Sequence, residues 1–175
     1  MKKFLLWFLI LTVLFLVGYW LLWPIVQLAK LSDFGTSYTV EGRTHVADGI
    51  KVDYKTNPPS SGNHYAQPTK WGVYENSLPD ETLVHNLEHG GVWISYKPTI
   101  PESAKERLRQ IVKKYNSKVI LEPRGANDAD IALSSWGRVY KFNLNTDGSF
   151  DEKMINNYIL KYKNTGPELV PDMGI

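Results

Sequence analysis

Pro79-Asp80-Glu81-Thr82-Leu83-Val84-His85-Asn86-Leu87-Glu88-His89-Gly90-Gly91-Val92-Trp93-Ile94-Ser95-Tyr96 decides the fold. Pro79 and the acids behind it open a helix, because proline is preset for the first turn and acids favour the positive helix start. Leu83, Val84 and Leu87 give that helix its apolar side, and Gly90-Gly91 ends it after about ten residues. Val92–Tyr96 is a short apolar run bounded by turn residues, which reads as a buried strand. A helix this short, leading straight into a core strand, belongs to a mixed fold.

The same reading extends outward in both directions. Pro101-Glu102-Ser103 starts a helix through about Tyr115, with Ala104, Leu108, Ile111 and Val112 at helical spacing. Lys118–Pro123 reads as a strand, and Ile131–Phe142 as one or two strands around Ser134-Ser135-Trp136-Gly137. Asp151 or Ser149 caps a last helix through about Lys161, with Met154, Ile155, Tyr158 and Ile159 on one face. Upstream, Asp48–Tyr54 alternates enough for a short strand. Asn57-Pro58-Pro59-Ser60-Ser61-Gly62-Asn63-His64 is a rigid loop that ends in a histidine, since two prolines fix φ and remove donors. The element order predicts an α+β fold, a single globular domain with a mostly antiparallel sheet and packed helices.

One N-terminal transmembrane helix precedes that domain. Phe4–Trp23 carries no charge, and at 1.5 Å per residue it reaches about 30 Å, the thickness of a bilayer core. Lys2 and Lys3 precede it and Pro24 is expected to end it. The run exceeds a signal-peptide core of about 7–15 residues, and Gln27-Leu28-Ala29 is a poor cleavage site. An uncleaved anchor follows: single-pass in the cell membrane, amino terminus cytoplasmic by the positive-inside rule, domain outside. The expected divisions are 1–29 for cytoplasmic tip and anchor, 30–44 for a stalk, and 45–175 for the extracytoplasmic domain.

Composition narrows the function. Without Lys2 and Lys3 the remaining chain has 18 basic and 18 acidic residues, so no strong basic surface invites nucleic acid. With no Cys there is no disulfide framework and no thiolate ligand. All four histidines lie between positions 45 and 89. His85 and His89 share one helix face, with Cβ atoms roughly 5–6 Å apart, so both rings can reach one ion at about 2.0–2.1 Å. His64, aimed by the proline loop, and His45, after Gly42, are the further candidate metal ligands.

The strings Asn57–His64 and Leu83-Val84-His85-Asn86-Leu87-Glu88-His89-Gly90-Gly91-Val92 resemble those of the domain of unknown function 3105 family. Gly42-Arg43-Thr44-His45-Val46, Gly72-Val73-Tyr74 and Ile94-Ser95-Tyr96 add to the resemblance. It runs from about residue 38 to the end and is most specific over 57–96. It implies an architecture, a membrane segment followed by one external domain. It leaves the activity to the residues.

The residues point first to a membrane-anchored extracytoplasmic protein that binds copper or zinc through His85, His89, His64 and His45, for storage, delivery or protection. Met173 is a further candidate, a soft thioether that favours copper. Glu88 reads as an acceptor orienting one imidazole. Binding by neutral imidazoles predicts affinity that falls below about pH 6.5. One alternative is a zinc-dependent hydrolase with Glu88 as base, completing His-x-x-Glu-His. Another is a metal-free scaffold whose histidines hydrogen-bond one another. Ser60 and Ser61 read as turn residues, because no G-x-S-x-G or oriented His–acid pair accompanies them. The implied partners are the membrane, through residues 4–23, and the metal ion.

Overall fold

Val92–Tyr96 is a strand buried at every position. The computed structural model describes residues 2–29, 31, 33–168 and 170–171. In chain order the elements are α1 (Lys2–Ala29), β1 (Thr36–Ser37), β2 (His45–Val46), β3 (His64–Tyr65), β4 (Gly72–Val73), α2 (Asp80–Glu88), β5 (Val92–Tyr96), α3 (Glu102–Val112), β6 (Val119–Pro123), β7 (Ile131–Ser135), β8 (Arg138–Phe142) and α4 (Glu152–Tyr162). They form two compact units, Met1–Asp33 and Phe34–Ile175.

In the first unit α1 carries the apolar stretch Trp7–Gln27, 21 residues and none of it buried. It is long enough to cross a membrane or to serve as a signal sequence. The helix runs through Pro24 to Ala29 instead of stopping there. Proline removes one i→i−4 bond, and an otherwise uninterrupted apolar helix absorbs that loss.

The second unit is α+β, as the element order predicts. Its six-stranded sheet has the order β1-β8-β7-β5-β6-β4. The β1–β8, β8–β7 and β7–β5 pairs are antiparallel, whereas β5–β6 and β6–β4 are parallel. Alternation along the central strands sends side chains to two faces. Val92, Ile94 and Tyr96 of β5, with Val119 and Leu121 of β6, join Leu108 and Ile111 of α3 and Ile155 and Tyr158 of α4. Trp93 and Ile120 face the other way and meet Leu83 and Leu87 of α2. Helices on both faces explain why Val92–Tyr96 has no polar side to give to water.

Two N-terminal expectations differ from the structure. A stalk is expected over 30–44, yet from Phe34 the chain belongs to the second unit. Thr36 and Ser37 pair with Val139 and Arg138, and Arg138 donates to the Phe34 carbonyl at 3.1 Å. An open sheet edge offers unpaired backbone groups, and the short extended segment takes them up. Asp48–Tyr54 is not a strand. Its donors go elsewhere: Ile50 N to the Ala47 carbonyl in a turn, and Val52 N to Glu81 Oε1 at 3.1 Å. A backbone donor spent on a side chain is lost to a ladder.

One buried acid stands out beneath α2. Glu122 of β6 accepts from Leu78 N at 2.6 Å through one oxygen, while its other oxygen has no hydrogen-bond partner. Trp93 Nε1 is likewise buried without one, although the indole lies close enough to favour the charged carboxylate. Burial wins and pushes Glu122 up to about 7 from 4.5. Between these values the folded state holds a proton that the unfolded state has released, so stability falls as pH rises from 4.5 through 7. Glu122→Gln should flatten that part of the pH profile and stabilise the protein at pH 8 by about 2–3 kcal/mol. Urea unfolding at pH 5 and pH 8 reads both effects.

Candidate metal centre

β2 and β3 form a two-stranded parallel ladder that sets His45 directly beside His64 and Val46 beside Tyr65. Residues opposite each other on a ladder project to the same face, and the two rings have centroids 5.1 Å apart. The ladder is held by His64 N donating to the Thr44 carbonyl at 3.1 Å, and by Thr44 N donating to Asn63 Oδ1 at 3.1 Å. The proline loop that delivers His64 is itself anchored. Ser134 Oγ donates to the Pro59 carbonyl at 2.6 Å, Gly137 N to the Ser60 carbonyl at 2.8 Å, and Glu41 N to Ser61 Oγ at 3.1 Å. Ser60 and Ser61 are fully buried within that loop. Gly62 has φ +127°, and a Cβ there would meet the Tyr54 ring at 2.8 Å. Tyr54 also donates to the Asn63 carbonyl at 2.7 Å, which fixes the turn just before His64.

α2 supplies the other rings. Seven of its residues are buried, the polar Glu81, His85, Asn86 and Glu88 among them. Asn86 clamps Thr69 from both sides, accepting from Thr69 N at 3.0 Å and donating to Thr69 O at 2.8 Å. Gly91 lets the helix end close against Trp71, which a Cβ would meet at 2.7 Å. The face opposite Leu83 and Leu87 carries His85 and Glu88, and His89 follows as the C-cap. The His85 and His89 ring centroids are 4.6 Å apart, and His85 is 4.9 Å from His64 and 5.1 Å from His45.

The decisive geometry is in the ring nitrogens. His64 Nδ1 lies 2.8 Å from the Gly62 carbonyl, His85 Nδ1 2.7 Å from the Tyr65 carbonyl, and His89 Nδ1 3.2 Å from the Glu168 carbonyl. A carbonyl only accepts, so each Nδ1 carries the proton and donates. In the neutral ring the bare lone pair is then on Nε2. These lone pairs converge. His85 Nε2 and His89 Nε2 are 2.8 Å apart. His64 Nε2 is 3.0 Å from Glu88 Oε2, at an angle that makes no hydrogen bond, and so is buried without one. One donor atom from each of His45, His64, His85 and Glu88 lies within 4.8 Å of the others.

Such a cluster has acceptors facing acceptors. Burial pushes the His85 imidazole down to about 4, against the pull of its Tyr65 hydrogen bond and with the neighbouring rings adding to the shift. The ring is therefore neutral near pH 7. The Arg43 guanidinium stands 3.9 Å from Glu88 Oε1, beyond hydrogen-bond reach, on a side chain 59% exposed. A divalent cation would satisfy several lone pairs at once, and neutral imidazoles with one carboxylate are a donor set that fits one. His64, His85, Glu88 and His89 are buried, while His45 is exposed and marks where the cluster meets solvent.

All four histidines expected from the sequence are thus in one place. Glu88, expected to orient a ring, has its carboxylate among the rings. Met173 lies outside the described residues. Sequence reasoning missed Arg43 and the carbonyls of Gly62, Tyr65 and Glu168. Main-chain acceptors leave no residue-type signature, and Glu168 is 79 positions from the ring it holds.

One cation holds both delivery segments. Arg124 grips Asp80 at the start of α2 with two bonds, 2.9 and 2.7 Å, and donates to Asn57 Oδ1, at the start of the proline loop, and to Asn127 Oδ1. Only a planar guanidinium serves this fork. Arg124→Met should cost about 3 kcal/mol of unfolding free energy, since it strands the acceptors of Asp80 and Asn57, and Arg124→Lys should recover only part of it. Urea unfolding of the three proteins in detergent measures the difference.

The family described as protein of unknown function (DUF3105) matches residues 45–173, a span that holds all five site residues and well over half of the 175. No curated protein and no solved structure matches the chain. The match begins at His45 itself and carries through the proline loop, α2 and the sheet beneath them. The chain belongs to the DUF3105 family.

Proposed function

We propose that this protein binds a transition-metal dication through His45, His64, His85 and Glu88, with His89 directed at the same point. The observation that carries the reading is the pair of short contacts between electron-pair donors, His85 Nε2 to His89 Nε2 and His64 Nε2 to Glu88 Oε2. A cation between buried acceptors that face one another satisfies them all at once. Imidazole and carboxylate donors suit zinc and copper.

In the cell the reading is a membrane-anchored metal binder. α1 is the anchor, the amino terminus is cytoplasmic, and the second unit stands outside, where it stores, delivers or protects against the ion. The hydrolase alternative asks Glu88 to be a free base beside a metal-bound water. Its carboxylate is instead buried against His64, in a position to be a ligand. The scaffold alternative needs a donor for each acceptor, and His64 Nε2 has none.

The full chain, purified in detergent without a polyhistidine tag, should carry or take up one equivalent of Zn(II) or Cu(II) by mass spectrometry and titration. His64→Ala and His85→Ala should each weaken binding by more than about 100-fold, because loss of a ligand exceeds the 10–100-fold cost of losing a group behind one. Metal should also raise the melting temperature of the wild type and not of either variant. Wild-type protein without metal affinity, or variants that bind unchanged, would refute the assignment.

A further inference from the structure

The segment after α4 folds back over the end of α2. Asn164 N donates to the Gly90 carbonyl at 2.8 Å, and Glu168 N donates to the Glu88 carbonyl at 3.1 Å. The Glu88 carbonyl is among those left without partners where a helix stops. The Glu168 carbonyl in turn accepts from His89 Nδ1. One residue, Glu168, thus bonds the backbone of one site residue and the ring of the next.

Two features make this approach specific. Gly166 lies so close to α2 that a Cβ would overlap the Glu88 carbonyl and the Gly90 nitrogen, and would sit 2.7 Å from the Leu87 carbonyl. All three are backbone atoms, which cannot swing aside. Lys118, just before β6, is 2% exposed and has φ 59°. Its Nζ donates to Asn164 Oδ1 at 2.7 Å and to the Val170 carbonyl at 2.8 Å, on either side of Gly166 and Glu168. Bringing an ammonium into such a place is costly unless it is well hydrogen-bonded, so these bonds tie the segment firmly to the sheet.

We infer that Asn164–Glu168 is a clasp that makes His89 a metal donor, with Lys118 as its positioning residue. The inference rests on the metal-binding reading above. With the clasp closed, the Glu168 carbonyl holds the proton on Nδ1 and turns Nε2 toward His85 Nε2. With it open, His89 is the last residue of a helix end, with nothing to fix its ring or tautomer. The remaining donors, His45, His64, His85 and Glu88, then hold the ion without it.

The test uses the full chain in detergent and Zn(II) alone, with affinity measured by chelator competition. Gly166→Ala pushes the segment off the helix. Lys118→Asn removes the tie while tolerating the positive φ. Each should weaken Zn(II) binding about 10-fold or more, matching His89→Ala, and neither should weaken it further in a His89→Ala background. That non-additivity separates a clasp acting through His89 from general loosening of the fold, which would add to His89→Ala. Clasp variants that bind Zn(II) like wild type, or whose losses add fully to His89→Ala, would overturn the clasp. In either case, strong wild-type binding abolished by His85→Ala would leave the metal assignment standing. Wild-type protein that takes no Zn(II) and no other tested ion would overturn both.

Discussion

Three main-chain carbonyls decide what this domain can do. By accepting from Nδ1 of His64, His85 and His89, the carbonyls of Gly62, Tyr65 and Glu168 leave Nε2 of each ring as the free lone pair. One donor atom from each of His45, His64, His85 and Glu88 lies within 4.8 Å of the others, and His89 Nε2 meets His85 Nε2 at 2.8 Å. The carbonyls come from two distant segments, the stretch around His64 and the one after α4. The orientation of the cluster is therefore a property of the whole second unit, not of the His-x-x-x-His motif. A motif of this kind on an isolated helix would have its rings in water and free to rotate.

The fold exists, in this view, to bring those segments together. The sheet is covered by helices on both faces, and α2 is seated on it through Leu83, Leu87 and Trp93. Almost nothing on α2 is left to solvent, so the helix cannot rotate about its axis without exposing apolar surface or stranding Asn86. Arg124 joins the start of α2 to the start of the proline loop. The β2–β3 ladder then converts the loop's direction into a fixed His45–His64 pair. Rigidity of this kind is what a metal site gains from backing groups that are themselves held.

Much of this was legible in the sequence. The helix stop at Gly90-Gly91 and the mostly apolar Val92–Tyr96 point to a buried strand behind a short helix. The confinement of all four histidines to 45–89 gave one site. Other elements were not legible, for physical reasons. Asp48–Tyr54 has the alternation of a strand, but its backbone donors are taken by Glu81 and a turn. Residues 36–37 look like linker and become strand only because β8 offers an open edge. Pro24 signals a helix end that the surrounding apolar residues override. Glu88 reads from the sequence as an acceptor orienting a ring or as a base, since spacing alone does not say whether a carboxylate one residue before a histidine points into the cluster or past it. The closing segment was invisible for a simpler reason: its contribution is a carbonyl oxygen, which every residue has.

X-ray absorption on the zinc-loaded full chain tests the central claim most directly, because it reads the atoms around the ion without reference to activity. The account predicts nitrogen and oxygen neighbours at about 2.0–2.1 Å, with the outer-shell scattering of at least three imidazole rings. A first shell of oxygens with no imidazole scattering would contradict it.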